Sequence, residues 1–163
     1  MRFFFATTAV ATLVATAAGL PLLWDGSLFL LETLNTRSIF IAHYRFIDAL
    51  FEIPMLLAAN VTTDLHILGV VFNLSYTLIP LISIGLSWWI VRKTAPALIV
   101  WPVLGIGLLL VSGQIFFIIE TIAVVELFWP ILLALLVRPP RKMNFIIALL
   151  AIIIAFSHLL ALS

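Results

Sequence analysis

The stretch from residue 66 to residue 91, HILGVVFNLSYTLIPLISIGLSWWIV, decides the fold class of this chain. It contains no Asp, Glu, Lys or Arg, and Arg92 and Lys93 follow it immediately. An α-helix needs about 20 mainly apolar residues to cross the ~30 Å hydrocarbon core of a bilayer. The stretch therefore predicts a membrane-spanning helix that ends at a basic pair.

The composition of the whole chain indicates the same class. Of 163 residues, 65% are hydrophobic and 9% are charged, whereas soluble domains typically carry about 25% charged residues. The formal net charge of +1 gives no basic surface suited to nucleic acid. The absence of cysteine excludes disulfides, thiolate metal ligands and thiol nucleophiles. We expect an all-α, polytopic transmembrane bundle that is covered mainly by lipid.

Apolar runs on both sides of residues 66–91 predict about five spans in a single membrane domain. A cleaved signal peptide is the alternative for the first run, although its apolar part is longer than usual for such a core. Pro80, Pro102 and Pro130 fall inside the runs, which membrane helices tolerate when neighbouring groups bond the freed carbonyls. The predicted spans are residues 3–24, 66–91, 95–113, 115–137 and 143–162.

The basic residues predict the topology, because Lys and Arg in short loops mark the cytoplasmic side. They cluster at Arg2, at Arg92–Lys93, and at Arg138, Arg141 and Lys142. All three clusters are cytoplasmic only if the apolar segment 46–61 does not cross the membrane. Residues 25–65 are then an external loop with juxtamembrane helices, lying on or dipping into the outer face. The N-terminus is cytoplasmic, and a bacterial plasma membrane is the expected location.

This predicted external loop concentrates the acidic side chains of the chain. It holds five of the seven, namely Asp25, Glu32, Asp48, Glu52 and Asp64. Arg45, Asp48 and Glu52 are spaced i, i+3, i+7, so they share one face of a helix. That face is interpreted either as a solvated stripe with an internal ion pair or as the polar side of an interfacial helix.

Asp25 lies at the outer end of the first predicted span, before Gly26 and Ser27. One interpretation is structural: Asp and Ser are preferred capping residues, so Asp25 or Ser27 caps a helix that begins near Leu28. The other is functional: a carboxylate held at the membrane boundary acts as a base or metal ligand on a substrate whose tail lies in lipid.

The order of these features resembles the first external loop of the GT-C glycosyltransferases, which are polytopic enzymes that use polyprenyl-phosphate sugars. The resemblance covers about residues 1–93 and rests on "WDGSLFLLETL" at 24–34 and "FEIPMLLAANV" at 51–61. It implies that Asp25 is catalytic or close to a divalent metal. Arg37, His43 and Arg45 are then the candidates for holding the phosphate of a lipid-linked donor.

Two further candidates come from later spans. Glu120 lies inside the fourth predicted span with Glu126, where an ionised carboxylate costs at least ~2.5 kcal/mol and therefore faces the bundle interior or a partner. Glu120 either completes a polar pocket with the loop as a second catalytic carboxylate, or is protonated and bonded to a neighbouring helix. His158 is the only histidine in the last span and is either a haem or chlorin ligand or a hydrogen-bond donor.

Two functional hypotheses follow from these observations. In the first, the chain is a GT-C-like membrane glycosyltransferase, or the N-terminal module of one, with Asp25 and Glu120 at its centre. In the second, it is a small non-catalytic subunit that packs against a larger membrane complex, with its carboxylates linking helices. Membrane lipid is a partner under both hypotheses.

Overall fold

The computed structural model describes residues 2–23, 25–41, 46–111, 120–137 and 143–157. All regular secondary structure in these ranges is helical. Short 3-10 helices occur at Leu20–Leu22, Phe46–Asp48 and Pro96–Ile99. The α-helices are α1 (Arg2–Ala17), α2 (Asp25–Thr36), α3 (Ala49–Ala59), α4 (Leu65–Thr77), α5 (Ile79–Val91), α6 (Val100–Val111), α7 (Glu120–Leu136) and α8 (Asn144–Ser157).

The deciding stretch forms the longest helix. α4 and α5 join at Leu78 into one apolar helix, Leu65–Val91, of 27 residues with a mean hydropathy of 2.0. Asp64 caps its first turn, because the Asp64 Oδ1 accepts hydrogen bonds from the backbone N–H groups of His66 and Ile67. At about 1.5 Å per residue the helix is roughly 40 Å long, which exceeds the hydrocarbon thickness of a bilayer.

Among the described residues, Leu65–Val91 alone is long and apolar enough to cross a membrane. The other apolar helices have between 10 and 17 residues and are Phe3–Ala17, Ala49–Ala59, Pro96–Val111, Thr121–Leu136 and Asn144–Ala155. The structure therefore gives an all-helical fold with one candidate span, which is coarser than the expected bundle of about five.

The first predicted span is divided in the structure. α1 ends at Ala17, and Gly19 adopts the left-handed conformation with φ 67° before the 3-10 helix Leu20–Leu22. This conformation ends helices and is accessible to glycine because it has no Cβ. The run predicted as residues 3–24 is thus a 16-residue helix followed by a turn.

The long helix is packed on two sides by other helices. α5 and α7 run parallel, because Ser83 meets Glu126 near their middles while Ile90 meets Leu133 near their ends. α1 runs antiparallel to the long helix, with Thr16 beside Thr77 and Phe4 beside Ile84. α8 completes this group by packing against α7.

The predicted external loop does not stay at the periphery of the molecule. α3 packs antiparallel to α4: the ring of Phe51 meets Tyr76 edge-on at 5.0 Å, while Ala59 and Leu65 line the same cavity. Tyr76 is eleven residues into α4, about 16 Å along the helix. With 11 residues, α3 is itself about 16 Å long. The segment 46–59 therefore lies beside the first half of the long helix and runs back toward its start.

The break at Pro130 is compensated by a hydroxyl group from a neighbouring helix, which is how membrane helices tolerate an internal proline. Pro130 has no N–H to offer the Glu126 carbonyl four residues earlier, and Ser83 of α5 donates its hydroxyl hydrogen to that oxygen. Beside Pro80, Thr12 of α1 donates to the Thr77 carbonyl at 3.1 Å. The Thr12 hydroxyl therefore joins α1 to the long helix, and the Ser83 hydroxyl joins the long helix to α7.

Candidate functional site

Asp25 is exposed and occupies the first position of α2. A carboxylate there interacts favourably with the positive end of the helix dipole. The interpretation in which Asp25 caps a helix beginning near Leu28 is wrong in its boundary, because α2 begins at Asp25 itself. Its role as a catalytic carboxylate stays a prediction.

The other predicted catalytic residue and three further predicted site residues lie at or beyond the edge of what the structure describes. Glu120 begins α7, and its side chain lies outside the described part of the molecule. His43, Arg45 and His158 also lie outside the described residues. The predicted convergence of Asp25, Glu120 and a basic residue on one cavity therefore stays a prediction.

Arg37 is the predicted phosphate ligand that the structure does place. It is exposed just after α2, has a φ of 49°, and lines a cavity of about 160 Å³ between α2, α3 and α4. We call this the Arg37 cavity. Thr62 and Thr63 are its polar neighbours, and the remaining lining is apolar: Leu34, Leu56, Ala59, Leu65 and Leu68. A cation at the mouth of an apolar cavity suits an anionic group that carries a hydrocarbon tail.

The predicted solvated stripe on α3 is wrong for two of its members. Asp48 and Glu52 are both 0% exposed, because this face of the segment packs into the bundle. The period of a helix shows that such residues share a face, but it does not show whether water or another helix covers that face. Buried carboxyl groups are rare and require partners or protonation.

Glu52 links the segment after α2 to α3. Its Oε2 accepts a 2.7 Å hydrogen bond from the Phe40 N–H, and the ring of Phe40 packs 6.0 Å from that of Phe29. Burial raises the pKa of Glu52 to about 7, while the Phe40 amide and the nearby Thr33 hydroxyl oppose the increase. Within the described residues, Glu52 Oε1 and Thr33 Oγ1 have no hydrogen-bond partner of good geometry.

Glu126 faces the interior of the bundle, as expected of a carboxyl in an apolar helix. Its side chain is 1% exposed, and its Oε1 has no hydrogen-bond partner among the described residues. Glu126 and the hydroxyl of Ser83 both lie in the contact between α5 and α7. Glu126 is therefore a buried residue at the contact that connects the two helices.

The sequence analysis missed a second cavity, of about 360 Å³, between α1, α2 and α4. We call it the α1–α4 cavity. It is lined by Thr16, Gly19, His66, Gly69 and Asn73, together with apolar side chains. Asn73 is 3% exposed, and its Oδ1 has no hydrogen-bond partner among the described residues. An amide inside an apolar run and the small residues at 15–19 were the available sequence signals.

Among the predicted site residues whose side chains the structure describes, Asp25 and Arg37 do not line a common cavity. Arg37 lines one cavity, Asp25 lines neither of the two, and Glu52 and Glu126 are buried in helix contacts. No group of three or more acidic or histidine side chains that could hold a metal occurs among the described residues. Comparison with family models, curated proteins and solved structures finds no match to the chain.

Proposed function

We propose that the chain is a small integral-membrane subunit, a helical bundle that packs within a larger membrane assembly and carries no catalytic centre of its own. The observation that supports this proposal most strongly is the distribution of polarity. Polar side chains are buried between the helices while large apolar ones face outward. A protein surrounded by lipid has this arrangement, because polar groups then find partners only inside.

The buried polar set lies along the long helix and along α1 and α7, which pack on it. Each of its members is at most 8% exposed: Thr8, Thr12, Thr16, Asn73, Thr77, Ser83, Ser87 and Glu126. The outward apolar set lies on helices of the same bundle. Each of its members is at least 73% exposed: Phe3, Leu108, Val111, Leu135 and Phe145. Small polar residues such as these Ser and Thr side chains commonly join helices within membranes.

The segment 46–59 fits the same proposal as a re-entrant element. A short helical element that does not cross the membrane is tolerated at membrane depth where protein covers it, and Ile47 and Phe51 are each 1% exposed. In this proposal the chain enters and leaves the re-entrant element on the outer side, which preserves the arrangement with all basic clusters in the cytoplasm. Its buried carboxyls, Asp48 and Glu52, then serve packing instead of contact with substrate.

The subunit proposal is tested by extracting the protein from native membranes in mild detergent and measuring the size of the particle. We expect a particle larger than one 163-residue chain plus its micelle, with other membrane proteins in fixed stoichiometry. In the same membranes, Asp25→Asn should leave assembly and cellular function intact. A monomer that turns over a lipid-linked sugar would contradict the proposal.

A GT-C-like glycosyltransferase is the second candidate, and the Arg37 cavity is the observation that favours it. A cation beside Leu-lined space could hold the phosphate of a polyprenyl carrier while the tail remains in the bilayer. Asp25, the candidate catalytic residue, belongs to the same helix as Leu34 of that cavity.

This second candidate is tested by binding of polyprenyl phosphate to protein in nanodiscs. If it is right, Arg37→Gln weakens binding about tenfold and Asp25→Asn abolishes sugar transfer without changing binding. Arg92→Gln is the matched control, since Arg92 is also exposed but lies at the opposite end of the long helix. Equal effects of the two arginine substitutions would indicate general attraction to charge.

A further inference from the structure

The α1–α4 cavity has an unusual combination of space and polarity. Small side chains line part of the cavity and leave space in it; they belong to Ala17, Ala18, Gly19 and Gly69. The exposed rim of the cavity includes Ala17, Ala18 and His66. A volume of about 360 Å³ lies within the range of small-molecule sites. The space therefore suits a molecule much larger than a single water, which occupies about 30 Å³ in the liquid.

Asn73 is the polar group on the inner wall of this cavity. Its Nδ2 lies 4.0 Å from the position that a Cβ on Gly19 would take, so the amide points across toward the end of α1. Asn73 is 3% exposed, and its Oδ1 is unpartnered among the described residues. Because a buried acceptor without a partner is destabilising, a ligand that donates a hydrogen bond here would be stabilised.

The charge of the lining limits the class of ligand. None of the described lining residues is Asp, Glu, Lys or Arg, and His66 at the rim is the titratable one. A phosphate or ammonium group buried beside Asn73 would have no compensating charge, which is unfavourable. The buried end of the ligand must therefore be neutral and must carry a hydroxyl or N–H donor.

The position of the cavity indicates where such a ligand comes from. Under the membrane placement proposed above, on which this inference rests, the start of α4 lies at the outer interface. Asn73 is seven residues below His66, about 10 Å along the helix. The cavity thus reaches from the level of lipid headgroups into the hydrocarbon, beside the apolar surface of α1.

We propose that the α1–α4 cavity binds an uncharged lipid alcohol. The hydroxyl group donates a hydrogen bond to Asn73 Oδ1, and the hydrocarbon chain leaves toward the bilayer past Ala17 and Ala18. This site is separate from the Arg37 cavity, which lies on the other side of Leu65 and suits an anion. The two cavities distinguish neutral from charged lipids by the presence or absence of a cation.

The test uses a dioleoylglycerol with a photoreactive diazirine in one acyl chain, added to the full-length protein in phosphatidylcholine nanodiscs. Illumination should place adducts within residues 16–30 or 65–73. Gly69→Leu should reduce labelling at least tenfold, because its side chain extends into the cavity. Gly85→Leu is the matched control on the same long helix, since nothing lies within 4 Å of a Cβ there.

Two further variants isolate the hydrogen bond and guard against misfolding. Asn73→Leu keeps the approximate volume and removes the acceptor, so affinity should fall about tenfold, the equivalent of 1.4 kcal/mol. Gly69→Ala serves if Gly69→Leu does not fold, because its Cβ meets Leu22 Cδ1 at an ordinary 3.8 Å. It should reduce labelling by a smaller factor in the same direction.

The proposal is overturned by any of three results. These are labelling that survives Gly69→Leu, equal losses in the Gly69 and Gly85 variants, or equal competition by phosphatidic acid with the same acyl chains. Recovery of the protein in nanodiscs measures membrane placement separately. If the protein is not recovered in nanodiscs, the membrane placement is wrong. Binding to the cavity is then tested separately with the same probe in detergent.

Discussion

The long helix and the segment 46–59 that lies beside it bury polar groups in two different ways. Around Leu65–Val91, the buried groups that bond across helices are hydroxyls of Thr and Ser, which bond carbonyls near prolines. In the segment 46–59, the buried groups are the carboxyls of Asp48 and Glu52. The first kind is neutral at every physiological pH, whereas the second kind carries a proton or a charge.

This difference teaches which part of the fold responds to its surroundings. A hydroxyl supplies one donor and accepts further bonds without a cost of ionisation. A buried carboxyl is stable when neutral and costly when ionised, so its contribution depends on pH. The hydroxyl contacts of the long helix should therefore be insensitive to pH, and the contacts between α2 and α3 should vary with it.

The first prediction, which has the largest expected effect, concerns the side of the membrane that each loop faces. Cysteines introduced at Asn35 and Asn60 should react with an impermeant thiol reagent from outside, because both residues belong to the predicted external loop. Cysteines at Lys93 and Lys142 should react only after the membrane is opened. The background is clean because the chain has no cysteine. Labelling of position 93 in intact cells would place the long helix the other way and defeat the comparison.

The long helix was the part of the fold that the sequence predicted best. An uninterrupted apolar run of this length is compatible with few structures other than a helix, because every buried backbone group needs a hydrogen bond. The packing of α3 against α4 was not predictable in the same way. Phe51 and Glu52 are adjacent and both buried, so no alternation of polar and apolar residues marks the face that meets α4.

The second prediction tests the pH dependence of the segment 46–59. Because the pKa of Glu52 is raised to about 7 from 4.5, the folded state binds the proton more tightly than the unfolded state. Its stabilising contribution is therefore complete below pH 4.5 and is lost as the pH rises to about 7, by about 2 kcal/mol after allowance for screening.

The measurement is the free energy of unfolding in mixed micelles between pH 4 and pH 8. Glu52→Gln cannot titrate, so the difference between the native protein and this variant should change with pH in that window. Glu32→Gln is the control, because Glu32 is only half-buried on α2. A difference independent of pH would show that Glu52 does not distinguish the two regions.

The third prediction concerns Thr77, the centre of the hydroxyl cluster between α1 and α4. Its single hydroxyl hydrogen goes to the Asn73 carbonyl at 3.0 Å, so it accepts the 2.8 Å bond from Thr16. Thr77→Val keeps the shape and removes both bonds, which should cost about 1–2 kcal/mol at all pH values.

Thr7→Val is the matched control for this prediction. Thr7 is exposed and bonds only the Phe3 carbonyl of its own helix, so its substitution should change stability by less than about 0.5 kcal/mol. Unfolding in mixed micelles measures both variants. Equal small effects would mean that the hydroxyl cluster does not join α1 to the long helix.

The candidate site was less predictable than the fold for a related physical reason. Asp25 and Glu52 are equally acidic in the sequence, yet one is exposed and the other fully buried. Local sequence gives the chemistry of a side chain, while contacts between distant elements give its environment. The role of Asn73 was not predicted, because the sequence does not show whether an amide in an apolar run packs against other side chains or lines a cavity.

The smallest expected effect tests whether Ser83 truly replaces the N–H that Pro130 lacks. Ser83→Ala alone should leave the Glu126 carbonyl without its donor and cost about 0.6 kcal/mol, the average for hydrogen bonds between membrane helices. Pro130→Ala restores a backbone donor to that carbonyl, so the Ser83 substitution should be nearly neutral in its presence.

Ser75→Ala is the matched control, because Ser75 bonds the Val71 carbonyl of its own helix and should not depend on Pro130. The cycle isolates this pair only if each variant removes one interaction without creating another, so helix content must be unchanged in all four proteins. Additive effects of Ser83→Ala and Pro130→Ala would mean that the serine and the proline act independently, and the hydroxyl would then stabilise the contact of α5 with α7 only by packing.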